Sequence, residues 1–386
     1  MHIVVLGNTS RGVVNFWSVL VESLRAAGCR VTVFAPGGDA DADAAIRGMG
    51  ATLHHYPLDR KGLNPVRDMA TLTALYRLFR RERPDMLFCY TIKPVIYGCL
   101  AARFAGVRRR FAAITGLGYM FEADSAVKKA LMALATLLYR LALIGAAIFF
   151  QNREDREFFE TAGIVGSAHR MELTKGTGVD VAHFAPVPLP SGSPVFLLVG
   201  RLLEAKGLYE YAQAARILKE RHPGVRFQLL GPPEHGLGSV PLERVRDWER
   251  GGFIEYLGQT GDVRPYLAAA SVIVLPSWRE GTPCSVMEGM SMGRPVVVTD
   301  APGCREVVIS GLNGHMAPLR DPQALAEAME RFILHPEDIA SMGAASRAIA
   351  VEEFDARKVA ARILRVMGLL TCREREDKMP ERRSHA

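Results

Sequence analysis

The stretch Ser271-Val-Ile-Val-Leu-Pro-Ser-Trp-Arg-Glu-Gly-Thr-Pro-Cys-Ser-Val-Met-Glu-Gly289 carries the most informative local pattern of this chain. Its apolar run, ended by Pro276, predicts a buried strand, and the small-residue turn after it leads into a helix. A helix N-terminus at the carboxyl edge of a sheet is a natural anion site, because its first N–H groups are unpaired. We expect the following residues to hold a phosphate-bearing ligand: Gly281, Thr282, Pro283, Cys284 and Ser285.

Two carboxylates flank this turn at an E-x7-E spacing. Glu280 stands in the loop, where it can reach a sugar, and Glu288 stands two turns into the helix, where it can accept both hydroxyls of a ribose. A site with one end for phosphate and one for a diol suggests a nucleotide-sugar. Taken alone, the spacing also fits a helix-start acid and an unrelated surface acid.

A second pattern strengthens the nucleotide-sugar hypothesis. The buried strand Pro194-Val-Phe-Leu-Leu-Val-Gly200 is followed at once by Arg201 and, five residues on, by Lys206-Gly207. Arginine offers a planar fork and lysine a mobile point charge, so the two are placed to clamp a diphosphate. The alternative is two solvated loop charges.

Together these motifs resemble the retaining glycosyltransferases of family 4. In that family a G-R-x-x-x-x-K-G loop grips the donor diphosphate, and here it corresponds to Gly200-Arg201 through Lys206-Gly207. The resemblance implies that Glu288 holds the ribose, that Glu280 lies near the transferred sugar, and that Arg201, Lys206 and Glu280 form the catalytic set. It extends over nearly the whole chain through the following segments: Gly176-Thr-Gly-Val-Asp180 with Phe184, Gly293-Arg-Pro-Val-Val-Val298 and Gly311-Leu-Asn-Gly-His315.

The resemblance also implies an α/β fold of the GT-B type, with two Rossmann-like doubly wound parallel-sheet domains facing a cleft. The alternation of apolar runs and helical patterns agrees with this. The predicted strands are 2–6, 30–35, 51–56, 86–90, 110–114, 146–150, 195–199, 225–230, 253–257, 272–275 and 295–299, with helices at 13–27 and 68–82 among those between them.

We expect two domains, because 386 residues exceed the size of one hydrophobic core. Residues 1–188 form an acceptor domain, and 189–351 form a nucleotide-sugar donor domain after a proline-rich linker at 186–194. A helix at about 352–370 crosses back to the first domain. The charged tail 371–386 lacks apolar anchors and is expected to be disordered.

Composition narrows the classes of function. The first 185 residues hold 23 Lys+Arg against 16 Asp+Glu, a net charge of +7, whereas the rest of the chain holds 25 of each. No nucleic-acid recognition motif accompanies this excess, so an anionic membrane surface or a diphosphate-bearing acceptor fits better. The six cysteines have no ligand or disulfide spacing, and no export signal is visible, which predicts a cytoplasmic protein.

The apolar segment 130–150 is long enough to span a bilayer. Arg140 near its middle and the break at Gly145 argue against a span, since a central arginine costs about 2.5–3.5 kcal/mol on insertion scales. Two alternatives remain: an apolar helix, led by Lys128 and Lys129, at the cytoplasmic face of the membrane, or a helix packed on its own sheet.

Three loops of the first domain follow predicted strands and should rim the cleft. The first contains Asn8, Thr9, Ser10, Arg11 and Gly12, where small residues let backbone N–H groups approach a ligand. Lys93 in the second can meet an acceptor phosphate or be an ordinary surface lysine. The third, Thr115-Gly-Leu-Gly-Tyr119, has Thr115 and Gly116 where many members of the family carry a histidine.

Within the family, Thr91-Ile-Lys-Pro94 and Ile114-Thr-Gly-Leu-Gly-Tyr119 resemble the branch that extends sugars on undecaprenyl diphosphate in bacterial glycan assembly. That resemblance implies a UDP-sugar donor, commonly a UDP-N-acetylhexosamine, and a lipid-diphosphate-linked acceptor. No cofactor or metal is expected, because Asp39-Ala-Asp-Ala-Asp43 enters a helix, where acids favour the N-terminal dipole. The rivals are a UDP-sugar 2-epimerase of similar fold and a non-catalytic sugar-nucleotide-binding protein.

Overall fold

The computed structural model describes residues 1–60, 62, 64–117, 126–236 and 238–370. These residues form two lobes, each built on one parallel sheet with helices on both faces. The strands of the first lobe are β1 (His2–Leu6), β2 (Arg30–Ala35), β3 (Thr52–His55), β4 (Met86–Tyr90), β5 (Arg109–Ile114), β6 (Ala147–Phe150) and β7 (Arg170–Leu173). Its helices are α1 (Ser10–Ala26), α2 (Ala40–Gly48), α3 (Pro65–Glu82), α4 (Ile92–Phe104), α5 (Ala126–Leu143) and α6 (Arg153–Thr161).

The second lobe follows the same scheme. Its strands are β8 (Val195–Val199), β9 (Arg226–Leu230), β10 (Glu255–Tyr256), β11 (Val272–Leu275), β12 (Val296–Thr299) and β13 (Gly314–Ala317). Its helices are α7 (Leu208–Arg221), α8 (Leu242–Arg250), α9 (Arg264–Ala269), α10 (Cys284–Ser291), α11 (Pro322–Leu334) and α12 (Glu337–Glu353). A last helix, α13 (Ala356–Val366), returns to the first lobe.

The strand orders place a crevice in each lobe. The first sheet runs β3-β2-β1-β4-β5-β6-β7 and the second β10-β9-β8-β11-β12-β13. In each, the winding reverses once, between β1 and β4 and between β8 and β11. Ligands of doubly wound sheets bind outside the carboxyl ends of the strands at such a reversal. The predicted α/β class with two doubly wound sheets is confirmed.

The pattern of apolar residues explains why the central strands could be predicted from sequence and the two edge strands β7 and β13 could not. Strands β1, β4 and β11 are buried at every residue, as helices on both faces require. By contrast β7, an edge strand of sequence Arg-Met-Glu-Leu, has no fully buried residue, and β13 is a short Gly-His-Met-Ala run. Neither was predicted, because neither has a continuous apolar pattern.

The final helix is shorter than the predicted 352–370, because the chain breaks between α12 and α13 and α13 spans only Ala356–Val366. Asp355 caps α13 by accepting from the Arg357 N–H, and the Val179 N–H donates to the Phe354 carbonyl at 2.7 Å. The interdomain stretch 176–184 forms only a β-bridge from Val179 to Asp355, not a strand. Gly178 lies there at φ +78°, and a Cβ on it would come within 2.5 Å of the Ala356 Cα.

The apolar face of α13 joins the core of the first lobe. Val359 and Ile363 pack in one cluster with Ile3, Val5 and Trp17. The predicted domain limits at 188 and 351 remain a prediction. The tail 371–386 and the loop residues Gly118 and Tyr119 lie outside the described residues.

The apolar segment 130–150 divides as predicted, with α5 ending at Leu143 and β6 beginning at Ala147. Gly145 stands between them at φ +69°, which only glycine adopts without strain. Within the part of the chain that the structure describes, no helix has the length and apolarity needed to cross a bilayer. Helix α5 packs Tyr139, Ala142 and Leu143 into the core of the first lobe and exposes its other side.

Candidate functional site

The two sequence motifs meet at the reversal point of the second sheet. Strands β8 and β11 are hydrogen-bonded neighbours, and the loops containing Arg201 and Glu280 both leave from their carboxyl ends. After β8, residues Glu204–Lys206 form one 3-10 turn that ends at Gly207. Because parallel strands end at the same edge, the basic loop and the acidic loop lie side by side.

Gly207 permits this close approach. It adopts φ +71°, and a Cβ on it would stand 2.0 Å from the Pro276 carbonyl oxygen, so no other residue fits without moving the loop. The Trp278 N–H donates to the Ala205 carbonyl at 2.9 Å, and the Ser277 hydroxyl donates to the same oxygen at 2.8 Å. These bonds join the two loops into one unit.

Lys206 and Glu280 form an ion pair at the centre of this unit. The Lys206 Nζ donates to the Glu280 Oε1 at 2.5 Å, and the Ser277 hydroxyl lies 2.6 Å from the same oxygen. Both charged side chains are only partly exposed, at 21% and 14%. The structure therefore brings together a cation and an anion that the sequence placed 74 residues apart.

Arg201 lies on the more open side of the site. It is half-exposed and pairs with Glu234 at 2.8 Å, a partner that the sequence did not suggest. Gly200 precedes it, and a Cβ on Gly231 would come within 1.8 Å of the Gly200 carbonyl oxygen. The loop therefore packs against the carboxyl end of β9, and the Arg201 guanidinium group lies at the surface.

Helix α10 begins at Cys284 without a side-chain cap among the described residues, so its first N–H groups have no side-chain partner. Ser285 is partly exposed at this end. The Cys284 thiol lies 3.5 Å from the Thr177 hydroxyl, and burial raises its pKa to about 12, so it stays a neutral thiol. An uncapped N-terminus beside Lys206 has the properties of an anion site.

Glu288 lies on α10, and no described side chain forms a hydrogen bond or ion pair with it. Burial raises the pKa of Glu288 to about 8, from the ordinary 4.5. A carboxyl group that is protonated near neutral pH in the absence of a ligand is unusual outside functional sites. Its hydrogen-bonding capacity is available to a ligand.

Replacing Glu288 by glutamine should stabilise the protein at pH 8.5. Between pH 4.5 and 8 the folded state holds a proton on this carboxyl that the unfolded state has released, so stability falls as the pH rises. Glutamine removes that penalty, and we expect a gain of about 1–2 kcal/mol at pH 8.5, since each pKa unit is worth about 1.4 kcal/mol and the group is partly solvated.

Thermal unfolding of both proteins at pH 5 and pH 8.5 tests this. The melting temperature of Glu288→Gln should exceed that of the wild type by several degrees at pH 8.5 and by much less at pH 5. A difference of equal size at both pH values would contradict the burial of an ionisable carboxyl at this position.

The predicted acceptor loops of the first lobe are engaged in internal contacts. Thr9 caps α1 by accepting from the Gly12 N–H at 2.9 Å, and the buried Ser10 donates to Asp43 at 2.5 Å. Arg11 pairs with Asp39 through two bonds, at 2.7 and 2.8 Å. Asn8 is partly buried between β1 and α1.

Lys93 is likewise paired in this structure. Its Nζ donates to Asp68 at 2.6 Å and to the Gly62 carbonyl at 2.7 Å. Before it, Thr91 has φ +66°, a conformation costly for a β-branched residue and concentrated at functional sites. The Tyr90 hydroxyl is buried beside Gly7, with no hydrogen-bond partner among the described residues.

One predicted acceptor loop directly contacts residues 276–283, the loop between β11 and α10 that contains Glu280 and is called the donor loop below. A Cβ on Gly116 would lie 2.9 Å from the Gly281 nitrogen, and a Cβ on Gly281 would lie 2.7 Å from the Thr115 carbonyl oxygen. The Thr282 hydroxyl donates to the Gln151 carbonyl at 3.2 Å. The cleft is therefore closed at Gly281, whereas among the described residues no hydrogen bond or ion pair joins the Asn8 or Lys93 loops to the donor loop.

Several residues at this site were missed by sequence reasoning. Ser277 lies three residues before Glu280, and Asn152 and Asp155 follow strand β6 directly. The available signal was the run Gln151-Asn-Arg-Glu-Asp155, which has polar residues at a strand's carboxyl end and an N-cap pattern.

In the described ranges, no group of three or more His, Cys, Asp or Glu side chains is arranged to hold a metal ion. Asp39 caps α2 by accepting from the Ala42 N–H, and Asp43 accepts from Ser10. Two acids of the Asp39–Asp43 run are thus engaged in hydrogen bonds within the first lobe. The expectation that no metal is required stays a prediction.

Comparisons with known proteins agree with this architecture. The family described as "Glycosyl transferase 4-like" matches residues 2–152, and "Glycosyl transferases group 1" matches residues 193–335. The Campylobacter jejuni N,N'-diacetylbacillosaminyl-diphospho-undecaprenol alpha-1,3-N-acetylgalactosaminyltransferase is 26% identical over 95% of this chain and 98% of its own length. The Escherichia coli UDP-Gal:alpha-D-GlcNAc-diphosphoundecaprenol alpha-1,3-galactosyltransferase is 27% identical over 70% of this chain and 72% of its own.

Solved structures share the fold at lower identity. Sucrose-phosphate synthase from Thermosynechococcus elongatus superposes with a TM-score of 0.79 at 18% identity, over 95% of this chain and 98% of that chain. Anabaena HepE in complex with UDP superposes with a TM-score of 0.75 at 18% identity, over 96% and 100%. With the family matches to both lobes, these likenesses confirm the GT-B fold, and the chain belongs to the family 4-like glycosyltransferases of group 1.

Proposed function

We propose that this enzyme transfers a sugar, an N-acetylhexosamine, from a UDP-sugar to a saccharide carried on polyprenyl diphosphate, with retention of configuration. The reaction would serve surface-polysaccharide or protein-glycan assembly. The observation that carries the proposal is the Lys206–Glu280 pair beside the uncapped start of α10. The two undecaprenol-linked transferases named above, one similar over nearly the whole chain, support the choice of acceptor.

Donor binding would use charges that are paired with each other in the ligand-free chain. The UDP diphosphate would draw Lys206 from Glu280 and Arg201 from Glu234, and would accept from the first amides of α10. Glu288 would accept the ribose hydroxyls at the far end. Glu280, released from Lys206, would then orient the hydroxyls of the donor sugar.

Transfer would pass through an oxocarbenium-like state while negative charge grows on the leaving diphosphate. Lys206, Arg201 and the α10 amides would stabilise that charge more strongly in the transition state than in the bound substrate, which is what accelerates the step. In same-face attack, the leaving phosphate takes the acceptor proton. Glu280 is therefore assigned an orienting role and not that of a covalent nucleophile.

The exposed side of α5 supports the proposed membrane contact. Helix α5 and the residue after it expose a stripe at helical spacing, consisting of Leu134, Leu137, Leu141 and Ile144, each 45–52% exposed. Lys129 is exposed near the start of the helix. An apolar face on a lobe of net charge +7 matches an anionic bilayer surface, where a polyprenyl-linked acceptor would lie.

Replacing Leu137 and Leu141 together by glutamate should reduce sedimentation with vesicles of phosphatidylglycerol and phosphatidylethanolamine by at least fivefold. Both side chains point to solvent, so folding should be unaffected. The matched control is Leu312→Glu with Leu334→Glu, which changes exposed leucines of the second lobe. Equal vesicle binding by the α5 variant and the wild type would contradict this surface.

The function itself is tested by incubating the full chain with a panel of UDP-sugars and an undecaprenyl-diphosphate-linked saccharide, followed by mass spectrometry. We expect addition of one sugar residue to the lipid-linked product, with and without a metal chelator. A parallel incubation without acceptor separates the rival activity, because turnover to a C2 epimer there would favour an epimerase. Binding of UDP-sugar without any product would favour a non-catalytic role.

A further inference from the structure

The Asn152 side chain of the first lobe binds the backbone of the donor loop. Asn152 lies two residues after β6 and is the N-cap of α6. Its Nδ2 donates to the Glu280 carbonyl at 3.1 Å and to the Gly281 carbonyl at 2.8 Å. Its Oδ1 accepts from the Asp155 N–H at 2.7 Å, which fixes the orientation of the amide. One side chain thus caps a helix in one lobe and binds two carbonyls in the other.

An ion pair reinforces the same junction from the opposite direction. Arg279, the residue before Glu280, donates to the fully buried Asp155 at 2.5 Å. Burial raises the pKa of the Asp155 carboxyl, and the facing Arg279 and Asn152 act in the opposite direction. A buried carboxylate with a single cationic partner holds that partner firmly, because separating them leaves an uncompensated charge.

The donor loop is closely packed on both sides around Glu280 and Gly281. A Cβ on Gly281 would come within 2.2 Å of the Gln151 Oε1, and a Cβ on Gly303 would come within 2.4 Å of the Glu280 carbonyl oxygen. The Glu280 N–H donates to the Pro302 carbonyl at 2.9 Å. The backbone of Glu280 is therefore fixed on one side by its own lobe and on the other by the first lobe.

We propose that Asn152 and Arg279 are positioning residues that couple closure of the two lobes to the placement of the Glu280 carboxylate. When the lobes part, the two carbonyls lose the amide and Arg279 loses Asp155, and the loop that carries Glu280 is free to move. Lys206, Arg201, Glu288 and α10 all belong to the second lobe, so the groups proposed to bind UDP stay together when the lobes part. The junction thus allows donor binding in either state and aligns the sugar only in the closed one.

The test uses Asn152→Ser, which keeps a capping oxygen for α6 but is too short to reach both carbonyls. The inference rests on the proposed transfer reaction, so wild-type activity is measured first. We expect kcat for transfer to fall about 10- to 100-fold, because a small misplacement of an orienting group has an effect of this size. UDP affinity, measured by calorimetry, should change less than twofold. Hydrogen exchange in peptides covering 279–285 should become faster, a change that does not depend on activity.

A second variant and a control complete the experiment. Arg279→Gln removes the ion pair from the loop side and should show the same division between kcat and UDP affinity. Asn64→Ser is the matched control, because Asn64 caps α3 in the same way and no contact of its side chain reaches the donor loop. A parallel loss of UDP affinity, or unchanged kcat and exchange in both variants, would overturn the coupling. Absence of transfer by the wild type would instead count against the proposed function.

Discussion

Replacing Lys206 by alanine is expected to lower transfer by about 10²- to 10³-fold and to weaken UDP binding by at least tenfold. The lysine Nζ is the one cation of the basic loop that the structure places against Glu280, at 2.5 Å. Losing it removes a charge-assisted bond to the diphosphate, and removal of one such donor costs about 3–4 kcal/mol in other enzymes. Steady-state kinetics and calorimetry with UDP measure both effects.

Lys219→Ala serves as the control for this change. Lys219 lies near the far end of α7, where it contacts the Pro223 carbonyl, about 17 Å along the helix from its start. Its replacement should leave transfer and UDP binding within twofold of the wild type. Wild-type turnover by Lys206→Ala would show that the basic loop does not clamp the donor diphosphate.

Replacing Glu280 by glutamine is expected to have a different signature. We predict a loss of about 10²-fold in kcat, because an amide no longer accepts from the donor-sugar hydroxyls as a carboxylate does. UDP affinity should stay the same or become a few-fold tighter, since the competing anion that now holds Lys206 is removed. Because Lys206→Ala should lower both kcat and UDP affinity, comparing the two variants separates orientation of the donor sugar from binding of the diphosphate.

Glu330→Gln is the matched control, because Glu330 pairs with Arg221 and His222 at the surface of the same lobe. A fall in UDP affinity for Glu280→Gln as large as the fall in kcat would show that Glu280 serves nucleotide binding. An unchanged kcat would remove it from the catalytic set altogether.

The central strands and the donor loops were predictable from sequence because each has a strong local signal. Strand β11 is a continuous apolar run closed by Pro276, and Gly207 stands where the backbone must take a positive φ against β11. The E-x7-E and G-R-x-x-x-x-K-G motifs are similarly local. Their meeting at one sheet edge follows from parallel topology alone.

The pairing partners were not predictable, because they come from distant parts of the chain. Glu234 on Arg201, Asp68 on Lys93 and Asp43 on Ser10 become visible only when the lobes are folded. The break at Asp355 was missed for the same reason, because the contact with Val179 at this point is long-range. The roles of all these residues in catalysis stay predictions.

A crystal structure of the full chain with UDP would test the central claim most directly. We predict the diphosphate within hydrogen-bond distance of the Lys206 Nζ and the first amides of α10, the ribose hydroxyls on Glu288, and a Lys206–Glu280 separation longer than the present 2.5 Å. UDP bound against the Asn8–Gly12 loop, or anywhere away from Lys206 and Glu288, would contradict it.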